Sequence, residues 1–356
     1  MQSKYNTDDL RITAIKEVIS PEQLHNDMPL VETAAKTVLA TRADIHQVLT
    51  GEDDRLLVIV GPCSIHDTKA AHEYAGRLKA IKDELEDDLL IVMRVYFEKP
   101  RTTVGWKGLI NDPELNDSFN INKGLHIARE LLLDLNKLGV PAATEYLDLI
   151  TPQYVSDLIS WGAIGARTTE SQVHRELSSG LSCPVGFKNA TDGSIKIAID
   201  AINSAMSPHH FLSVTKEGRS AIFSTTGNED VHIILRGGND RPNYDAVSVE
   251  QVAEGLEAAN LRSNIMVDFS HANSLKQCQR QLVVGDDVGG QIAGGDKRIM
   301  GVMIESHLKA GRQDQVAGQA LEYGKSITDA CLSWEDTVDL LNKLAQSVQK
   351  RRTVKI

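Results

Sequence analysis

The chain has 356 residues and a formal net charge of −11, which argues against a broad nucleic-acid-binding surface. Its four cysteines form no CxxC pair, a usage that fits a reducing compartment. The polar amino terminus with Asp8 and Asp9 predicts no signal peptide, and no apolar run approaches the ~20 residues that span a bilayer. We therefore expect a cytoplasmic globular enzyme with neither nucleic-acid nor membrane partners.

Residues 1–50 are predicted to form an amino-terminal extension that precedes a main domain of residues 51–356. The motif Ser20-Pro21-Glu22-Gln23 is typical of a helix start. Apolar residues, Leu39 among them, then recur at helical spacing over residues 30–49, and Gly51 ends the run. The extension is too small to be a domain, so we expect it to pack on the main domain or on a neighbouring subunit, with a role in assembly or regulation.

Eight short apolar runs follow, separated by stretches of helical periodicity. Runs of this length, rich in β-branched residues, predict buried parallel strands. Eight such strands in a ring form the (β/α)₈ barrel, or TIM barrel, of the α/β class. The runs are Leu57–Gly61, Leu90–Met93, Val140–Thr144, Ala163–Ala166, Pro184–Phe187, Val231–Leu235, Ile265–Asp268 and Ile299–Ile304.

Helices are predicted between the runs and after the last one, where Ser333 is placed to cap the closing helix. The predicted helices between strands are Lys69–Leu85, Lys123–Leu138, Gln153–Ser160, Gly193–Met206, Ser248–Ala259 and Leu275–Ile292. One stretch, about 208–226, breaks this rhythm because Phe211–Val214 and Ala221–Ser224 predict an inserted β-hairpin. The hairpin is a candidate for regulation or assembly, and a surface hairpin without function is the alternative.

Every apolar run leads to a residue that can do chemistry. The residues are Cys63, Arg94, Glu145, Arg167, Lys188, Arg236, His271 and Glu305. The active site of a (β/α)₈ barrel lies at the carboxyl ends of its strands. Fold and site are therefore predicted by the same pattern.

Cations dominate this predicted site. They are Arg94, Lys99, Arg101, Arg167, Lys188 and Arg236. Each alone could be a solvated surface charge, but together they indicate a ligand with more than one anionic group, or two phosphorylated substrates. Gly165 and the pair Gly237-Gly238 would let the backbone approach such a ligand closely.

A second group, Cys63, His271, Glu305 and Asp329, offers thiolate, imidazole and carboxylate ligands suited to a divalent transition metal. Its members lie far apart in the sequence, so two other interpretations stay open at this point. Cys63 could be a small buried apolar residue, and His271 a hydrogen-bonded loop histidine. Glu145 could orient a water molecule or pair with one of the cations.

The segments that carry these residues closely resemble the microbial type I 3-deoxy-D-arabino-heptulosonate-7-phosphate (DAHP) synthases. The likeness runs nearly end to end, and the chain looks most like the phenylalanine-sensitive members. Its motifs are Gly61-Pro62-Cys63-Ser64-Ile65-His66, the run Arg94–Thr103, Gly165-Ala166-Arg167-Thr168-Thr169-Glu170-Ser171, Gly186-Phe187-Lys188-Asn189, Leu235-Arg236-Gly237-Gly238 and Asp268-Phe269-Ser270-His271.

The resemblance implies condensation of phosphoenolpyruvate with D-erythrose 4-phosphate, giving DAHP and inorganic phosphate, the first step of the shikimate pathway to aromatic amino acids. Phosphoenolpyruvate would be bound by Arg94, Glu145, Gly165, Ala166, Arg167, Lys188 and Arg236. Erythrose 4-phosphate would be bound by Lys99, Pro100, Arg101, Thr102 and Asp329. The implied catalytic residues are Lys99, Glu145, His271 and Asp329. Cys63, His271, Glu305 and Asp329 would hold one divalent ion per subunit, with Mn²⁺ expected and Fe²⁺, Co²⁺, Cu²⁺ or Zn²⁺ as alternatives.

The resemblance also implies feedback inhibition by phenylalanine and a homotetramer built as a dimer of dimers. The matching inhibitor positions are Leu149, Gln153, Leu177, Leu181, Ser182, Phe211, Ser213 and Val214, with Asp8 and Asp9 contributed by a partner chain. Leu149, Glu217 and Phe223 depart from the usual pattern there, as does Ala190 near the active site. The departures near the hairpin bear on inhibitor affinity.

Two rival functions remain at this stage. One is the related synthase that joins phosphoenolpyruvate to arabinose 5-phosphate, against which the Lys99-Pro100-Arg101-Thr102 motif and the long extension argue. The other is a barrel that only senses sugar phosphates or an amino acid, which would require a degenerate site. Cys63 and Cys331 could also lie close enough to oxidise together after metal loss.

Overall fold

The computed structural model describes residues 7–316 and 318–354, and its centre is a closed barrel of eight parallel strands. The barrel strands are β1 (Leu56–Gly61), β2 (Leu89–Arg94), β3 (Ala142–Glu145), β4 (Trp161–Ile164), β5 (Val185–Lys188), β8 (Val231–Leu235), β9 (Ile265–Asp268) and β10 (Ile299–Glu305). Around the barrel they follow the order β1-β10-β9-β8-β5-β4-β3-β2. Barrel strands that follow one another in the chain are therefore neighbours, and two further strands, β6 (His210–Val214) and β7 (Ser220–Ser224), are inserted between β5 and β8. The predicted (β/α)₈ barrel is confirmed.

A helix follows every barrel strand. These helices are α3 (Thr68–Glu84), α4 (Ile121–Lys137), α5 (Pro152–Val155), α6 (Gln172–Gly180), α7 (Lys196–Ala205), α8 (Ala246–Ala258), α9 (Arg280–Ala293) and α10 (Trp334–Thr353). The side chain of Ser333 accepts a hydrogen bond from the backbone N–H of Asp336, which confirms the predicted cap of the closing helix.

Two predicted helices differ in extent from the observed ones, and one observed helix was not predicted. The predicted helix at Gln153–Ser160 is only α5 followed by a 3₁₀ turn, Ser156–Leu158. Helix α6 was not predicted from the sequence, although one side of it is buried, including His174 and Leu177. Helix α9 begins five residues later than predicted, because Leu275 and Lys276 adopt left-handed backbone conformations with φ of 52° and 59°.

The amino-terminal extension contains α1 (Pro21–Asp27), which is capped by Ser20, and α2 (Glu32–Thr50). Helix α2 lies across the amino-terminal end of the barrel, since it bonds to residues that immediately precede strands. His46 Nδ1 lies 2.7 Å from Asp230 Oδ1, and Asn264 Nδ2 donates to the Leu49 carbonyl at 2.9 Å. Leu39 lies on the open side of α2, since its side chain is 63% exposed. A role for residues 1–50 in assembly or regulation stays a prediction.

The inserted hairpin consists of β6 (His210–Val214) and β7 (Ser220–Ser224), both within the predicted range 208–226. The strands are antiparallel, and Phe211 pairs directly with Phe223. Barrel strands are buried on both faces, whereas the hairpin strands alternate between half-buried and exposed residues. The hairpin therefore has one covered face and one open face.

The interior of the barrel changes from apolar to charged along its axis. Val92 and Ile234 belong to a buried apolar cluster inside the barrel, together with Ile45 of α2. Two residues further along their strands lie Arg94 and Arg236, which face the same side because side chains alternate. The carboxyl end of the barrel is thus lined by polar side chains that stand on an apolar floor.

Candidate active site

The strand ends deliver the predicted reactive residues to one end of the barrel. Arg94, Glu145, Lys188 and Glu305 are the last residues of β2, β3, β5 and β10. The remaining ones follow their strands within three residues, namely Cys63, Arg167, Arg236 and His271. Parallel closure of the barrel explains why residues hundreds of positions apart meet there.

A cavity of about 160 Å³ lies at this end of the barrel, and cations surround it. Its lining residues are Lys99, Pro100, Arg101, Glu145, Gly165, Ala166, Arg167, Lys188, Thr191, Arg236, His271, Lys276, Thr328 and Asp329. Thr102 completes the predicted set at the rim, since its hydroxyl accepts a hydrogen bond from Arg167 Nε at 3.3 Å. Cys63, Arg94 and Glu305 are fully buried beside the cavity.

Sequence reasoning missed several residues of this site. Thr191 and Thr328 line the cavity from loops that carry no periodic signal, and Lys276 lines it from a turn that was predicted as the start of a helix. Asp268 was noted only as part of a motif, although its position at the end of β9 matches the rule that identified the others. A search of every strand end for charged residues would have found it.

Asp268 is a buried anion that organises two predicted site residues. Lys188 Nζ donates to its Oδ2 at 2.7 Å, and His271 Nδ1 lies 2.8 Å from the same oxygen. Ser270 donates to the other oxygen through its backbone N–H and its hydroxyl. Burial disfavours the charged form of Asp268, but His271 and Lys188 outweigh it and hold the pKa well below its usual value. The carboxylate thereby fixes both side chains against the cavity.

Gly165 brings the backbone of the β4 loop against Glu145. A Cβ atom at position 165 would lie 2.2 Å from Glu145 Oε1, so a larger residue would displace the carboxylate. Gly237 has φ of 79°, and a Cβ there would meet Ala272 and Asn273 at 2.7–2.8 Å. Both glycines thus lie against neighbouring protein atoms, and their close approach to a ligand stays a prediction.

Three of the four predicted metal ligands come together. One ligand atom each from Cys63, Glu305 and Asp329 all lie within 4.8 Å of one another. Glu305 Oε1 is buried without a hydrogen bond among the described residues, although the Arg94 guanidinium lies 3.1 Å away. An acceptor left free beside a thiol and a second carboxylate fits a divalent cation.

His271 stands at the edge of this group. Its Nε2 lies 4.0 Å from Glu305 Oε1, while its Nδ1 faces Asp268. A carboxylate on one ring nitrogen commonly orients the other towards a metal. The backbone of His271 has φ of 58°, a strained conformation that occurs mainly where the surroundings require it.

Cys63 and Lys99 form a close pair within the same group. Lys99 Nζ donates to the sulfur and to the carbonyl oxygen of Cys63, each at 3.2 Å. Burial and the charge of Glu305 nevertheless raise the pKa of Cys63 to about 11. The thiol is therefore protonated in the metal-free protein, and binding of a metal would release its proton. Cys331 is also a free, buried thiol, and its joint oxidation with Cys63 stays a prediction.

A second cavity, of about 800 Å³, lies between the hairpin and the barrel helices. Six of the predicted inhibitor residues line it, namely Gln153, Leu177, Leu181, Ser182, Phe211 and Ser213. Leu149 and Val214 are half-buried on the adjoining turn and at the end of β6. Asp8 and Asp9 were predicted to come from a partner chain, so their place stays a prediction.

The hairpin cavity also contains residues that the prediction missed. Lys216 donates through Nζ to the Gln153 carbonyl, and burial lowers the pKa of this lysine. Phe223 and Thr225 line the same cavity. Lys216 ties the hairpin tip to α5 and would be the cation nearest to a ligand bound there.

A family model described as the DAHP synthetase I family matches residues 21–342. The chain belongs to this family. It is 65% identical to the Phe-sensitive phospho-2-dehydro-3-deoxyheptonate aldolase of Escherichia coli K12, over 98% of this chain and 99% of that protein. A Trp-sensitive enzyme of the same name from Enterobacter agglomerans is 54% identical, over 97% and 99%. A solved phospho-2-dehydro-3-deoxyheptonate aldolase from Francisella tularensis SCHU S4 matches with a TM-score of 0.94 and 53% identity, covering 96% and 99%.

The comparisons confirm the predicted membership in the type I DAHP synthases, with a relative named Phe-sensitive among the similar proteins, and with it a 3-deoxy-7-phosphoheptulonate synthase. Among the described residues, no helix is long and apolar enough to cross a membrane.

Proposed function

We propose that the chain condenses phosphoenolpyruvate with D-erythrose 4-phosphate and releases DAHP and inorganic phosphate. The observation that carries this proposal is the cavity at the carboxyl end of the barrel, where cations of five strand ends or loops surround one space. Two phosphates and a carboxylate would enter this space, and the chain's net charge of −11 makes such a local cluster necessary.

Phosphoenolpyruvate would bind on the side of β4, β5 and β8. Arg167, Lys188 and Arg236 would hold its phosphate, beside the Gly165-Ala166 backbone. Arg94 would receive its carboxylate from the barrel interior. Lys188 is already held by the buried Asp268, so it would meet the substrate without rearrangement.

Erythrose 4-phosphate would bind on the side of the β2 loop. Lys99, Pro100, Arg101, Thr102 and Asp329 are the residues proposed for it. The hydrogen bond from Arg167 to Thr102 supports this arrangement, because it joins the loops that would hold the two substrates. The two reacting carbons would then be brought together by groups that are placed before the reaction.

In the proposed reaction, the methylene carbon of phosphoenolpyruvate forms a bond to the aldehyde carbon of erythrose 4-phosphate. Glu145 would orient the water that adds to the resulting cationic carbon, and the hemiketal phosphate would lose phosphate by C–O cleavage. Lys99 or His271 would supply the proton that the new alkoxide takes up. Burial alone would lower the pKa of Lys99, but the charge of the Cys63 thiolate, once it has formed, and that of Glu305 raise it against the opposing charge of Arg94, so Lys99 carries a proton that it can supply.

Cys63, His271, Glu305 and Asp329 would hold one divalent ion per subunit, with Mn²⁺ as the expected metal. The mixed sulfur, nitrogen and oxygen donors and the free Glu305 oxygen support this assignment. When bound, such an ion would act as a Lewis acid towards the aldehyde carbonyl.

The hairpin cavity is proposed as a feedback site for phenylalanine. Its wall combines Leu177, Leu181 and Phe211 with a few polar groups, a composition that suits an aromatic side chain. A homotetramer would bring Asp8 and Asp9 of a partner to it. Exposed apolar residues of the amino-terminal segment support assembly, among them Leu10 at 65% and Ile15 at 82% exposure.

The test follows the loss of phosphoenolpyruvate in protein stripped with EDTA and then reloaded with Mn²⁺. We expect turnover only with metal and erythrose 4-phosphate, and little with arabinose 5-phosphate in its place. Turnover without metal would contradict the four-ligand site, and a preference for arabinose 5-phosphate would favour the related synthase. Absence of turnover under all conditions would favour a sensor barrel.

A further inference from the structure

The guanidinium of Arg94 is held at its edge by several partners. Nε donates to the Pro62 carbonyl at 3.1 Å, and Nη2 donates to the Cys63 carbonyl at 3.3 Å. Nη1 lies 3.0 Å from Met303 Sδ, and Nη2 lies 3.1 Å from Glu305 Oε1. The N–H groups of the guanidinium donate to the two carbonyls and the sulfur, whereas Glu305 Oε1 accepts no hydrogen bond from the described residues despite its proximity. Hydrogen bonds along the N–H edges restrain the group less against tilting out of its plane.

Tyr96 covers a face of the same guanidinium. Arg94 Cζ lies 3.6 Å from the centre of the Tyr96 ring, and the tyrosine has no exposed surface. A cation over an aromatic face is attracted by the electron-rich ring, and more strongly away from water. The ring thus blocks the tilting motion that the edge contacts allow.

The hydroxyl of Tyr96 is unusual because it is buried and has no hydrogen-bond partner among the described residues. Burial, with the charges of Glu145, Asp268 and Glu305, raises the pKa of the phenol far above its usual value. The group is therefore a neutral donor surrounded by carboxylates at the barrel axis. A buried hydroxyl without a partner destabilises a protein, and phenylalanine would supply the same ring without that cost.

We propose that Tyr96 is a positioning residue for phosphoenolpyruvate: its ring holds Arg94 in the orientation that receives the substrate, and its hydroxyl donates to the oxygen bound by Arg94. This inference rests on the proposed function. It adds to the predicted site a residue that lies outside the cavity lining and acts mainly through another side chain.

The experiment compares Tyr96→Phe and Tyr96→Leu with the unaltered protein at saturating Mn²⁺. The Michaelis constants of the two substrates are measured separately, and binding of phosphoenolpyruvate alone is measured by calorimetry. We expect Tyr96→Leu to weaken phosphoenolpyruvate binding by roughly 10-fold or more, with the KM of erythrose 4-phosphate changed less than about 2-fold. Tyr96→Phe keeps the ring and should bind phosphoenolpyruvate more tightly than Tyr96→Leu does. Its binding should remain roughly 3- to 10-fold weaker than that of the unaltered protein, because the hydrogen bond is missing.

Tyr74→Leu is the matched control, because Tyr74 is equally buried but packs on Trp334 and donates to Ser306. It should lower the melting temperature without a selective change in phosphoenolpyruvate binding. If Tyr96→Leu does not fold, Tyr96→Met fills a similar volume and replaces it in the comparison.

Equal changes in both Michaelis constants, or none, would overturn the role of the ring. Full activity and binding in Tyr96→Phe would overturn the role of the hydroxyl. The proposed function fails separately if the unaltered protein does not turn over erythrose 4-phosphate, since phosphoenolpyruvate binding still tests Tyr96. Failure of the unaltered protein to bind phosphoenolpyruvate would remove both proposals.

Discussion

The two cavities of this molecule are built in opposite ways. The cavity at the carboxyl end of the barrel is small, about 160 Å³, and its wall is set by buried charge pairs such as Lys188 with Asp268. The hairpin cavity is about 800 Å³, and hydroxyls, apolar side chains and the single partly buried Lys216 form its wall. The first is held by electrostatics within rigid strands, and the second by packing of a half-exposed hairpin.

This difference indicates how each cavity should respond to change. A buried ion that loses its partner leaves an uncompensated charge, so substitutions in the barrel cavity should damage both binding and stability. The hairpin cavity has room and little buried charge, so a bulky side chain can fill it without harm to the barrel. The variants below test that contrast.

The largest effect is expected from Lys188→Met. The change removes a cation from the cavity and leaves Asp268 without its lysine partner at 2.7 Å. We expect kcat/KM to fall by about 10³-fold or more and the free energy of unfolding to fall by about 3 kcal/mol. Steady-state kinetics and urea unfolding measure the two quantities.

Lys196→Met is the control for that variant, because Lys196 is exposed and pairs with Asp200 on the surface of α7. It should change neither quantity appreciably. A Lys188→Met protein with near-normal kcat/KM would show that the barrel cavity does not depend on its buried pair.

The next effect concerns the hairpin cavity and Ser182→Phe. Ser182 lines this cavity, and a phenyl group there would occupy the space proposed for phenylalanine. We expect inhibition by phenylalanine to weaken by about 100-fold or more, while the uninhibited kcat stays within about 2-fold of normal. Initial rates at increasing phenylalanine concentration provide the measurement.

Ser207→Phe places the same side chain on an exposed turn outside the cavity lining and should leave inhibition unchanged. Persistent full inhibition of Ser182→Phe would show that the inhibitor binds elsewhere. Parallel loss of activity and inhibition would contradict the independence of the two cavities.

The last effect is on stability alone and concerns Glu98. It precedes Lys99, and its carboxylate accepts a hydrogen bond from Thr151, next to α5, at 3.2 Å. Burial and the charge of Asp148 raise its pKa to about 8 from the ordinary 4.5. The folded state thus holds a proton that the unfolded state releases between pH 4.5 and 8, so this stabilisation is present below that range and lost across it.

Glu98→Gln should remove this dependence. The stability of the unaltered protein relative to the variant should fall as the pH rises from 5 to 9, by at most about 1.4 kcal/mol per pH unit. Urea unfolding at several pH values measures the difference. Curves that run parallel would mean that Glu98 is not protonated in the folded protein.

Much of the barrel could be predicted because its signals are local. A strand buried on both faces is apolar along most of its length, as the fully buried β1 is throughout and β10 is up to Glu305. Helix caps are local as well, and Ser20 and Ser333 were found from short motifs. The helix prediction was less accurate where a helix is short, as in α5, which ends after four residues.

The sequence predicted most of the residues that form the site, but not the contacts between them. Strand ends identified Lys188 and His271, but not the shared bond of both to Asp268. The cavity residue Thr191 lies in a loop without a period to detect, and Lys276 lies in a turn whose apolar spacing had predicted a helix. Tyr96 was passed over because a tyrosine beside a strand end is indistinguishable in sequence from an ordinary core residue.

The sequence by itself determined the eight strands, the helices between most of them, and the concentration of reactive residues at one end of each strand. These features depend on local patterns, namely uninterrupted apolar runs for the strands and apolar residues every three or four positions for the helices. Only the tertiary structure decided that Cys63 lies beside Asp329, that α2 covers the opposite end of the barrel, and that Tyr96 packs on Arg94. Such contacts join residues or elements through barrel closure and side-chain packing in three dimensions, and a one-dimensional periodicity carries no record of either.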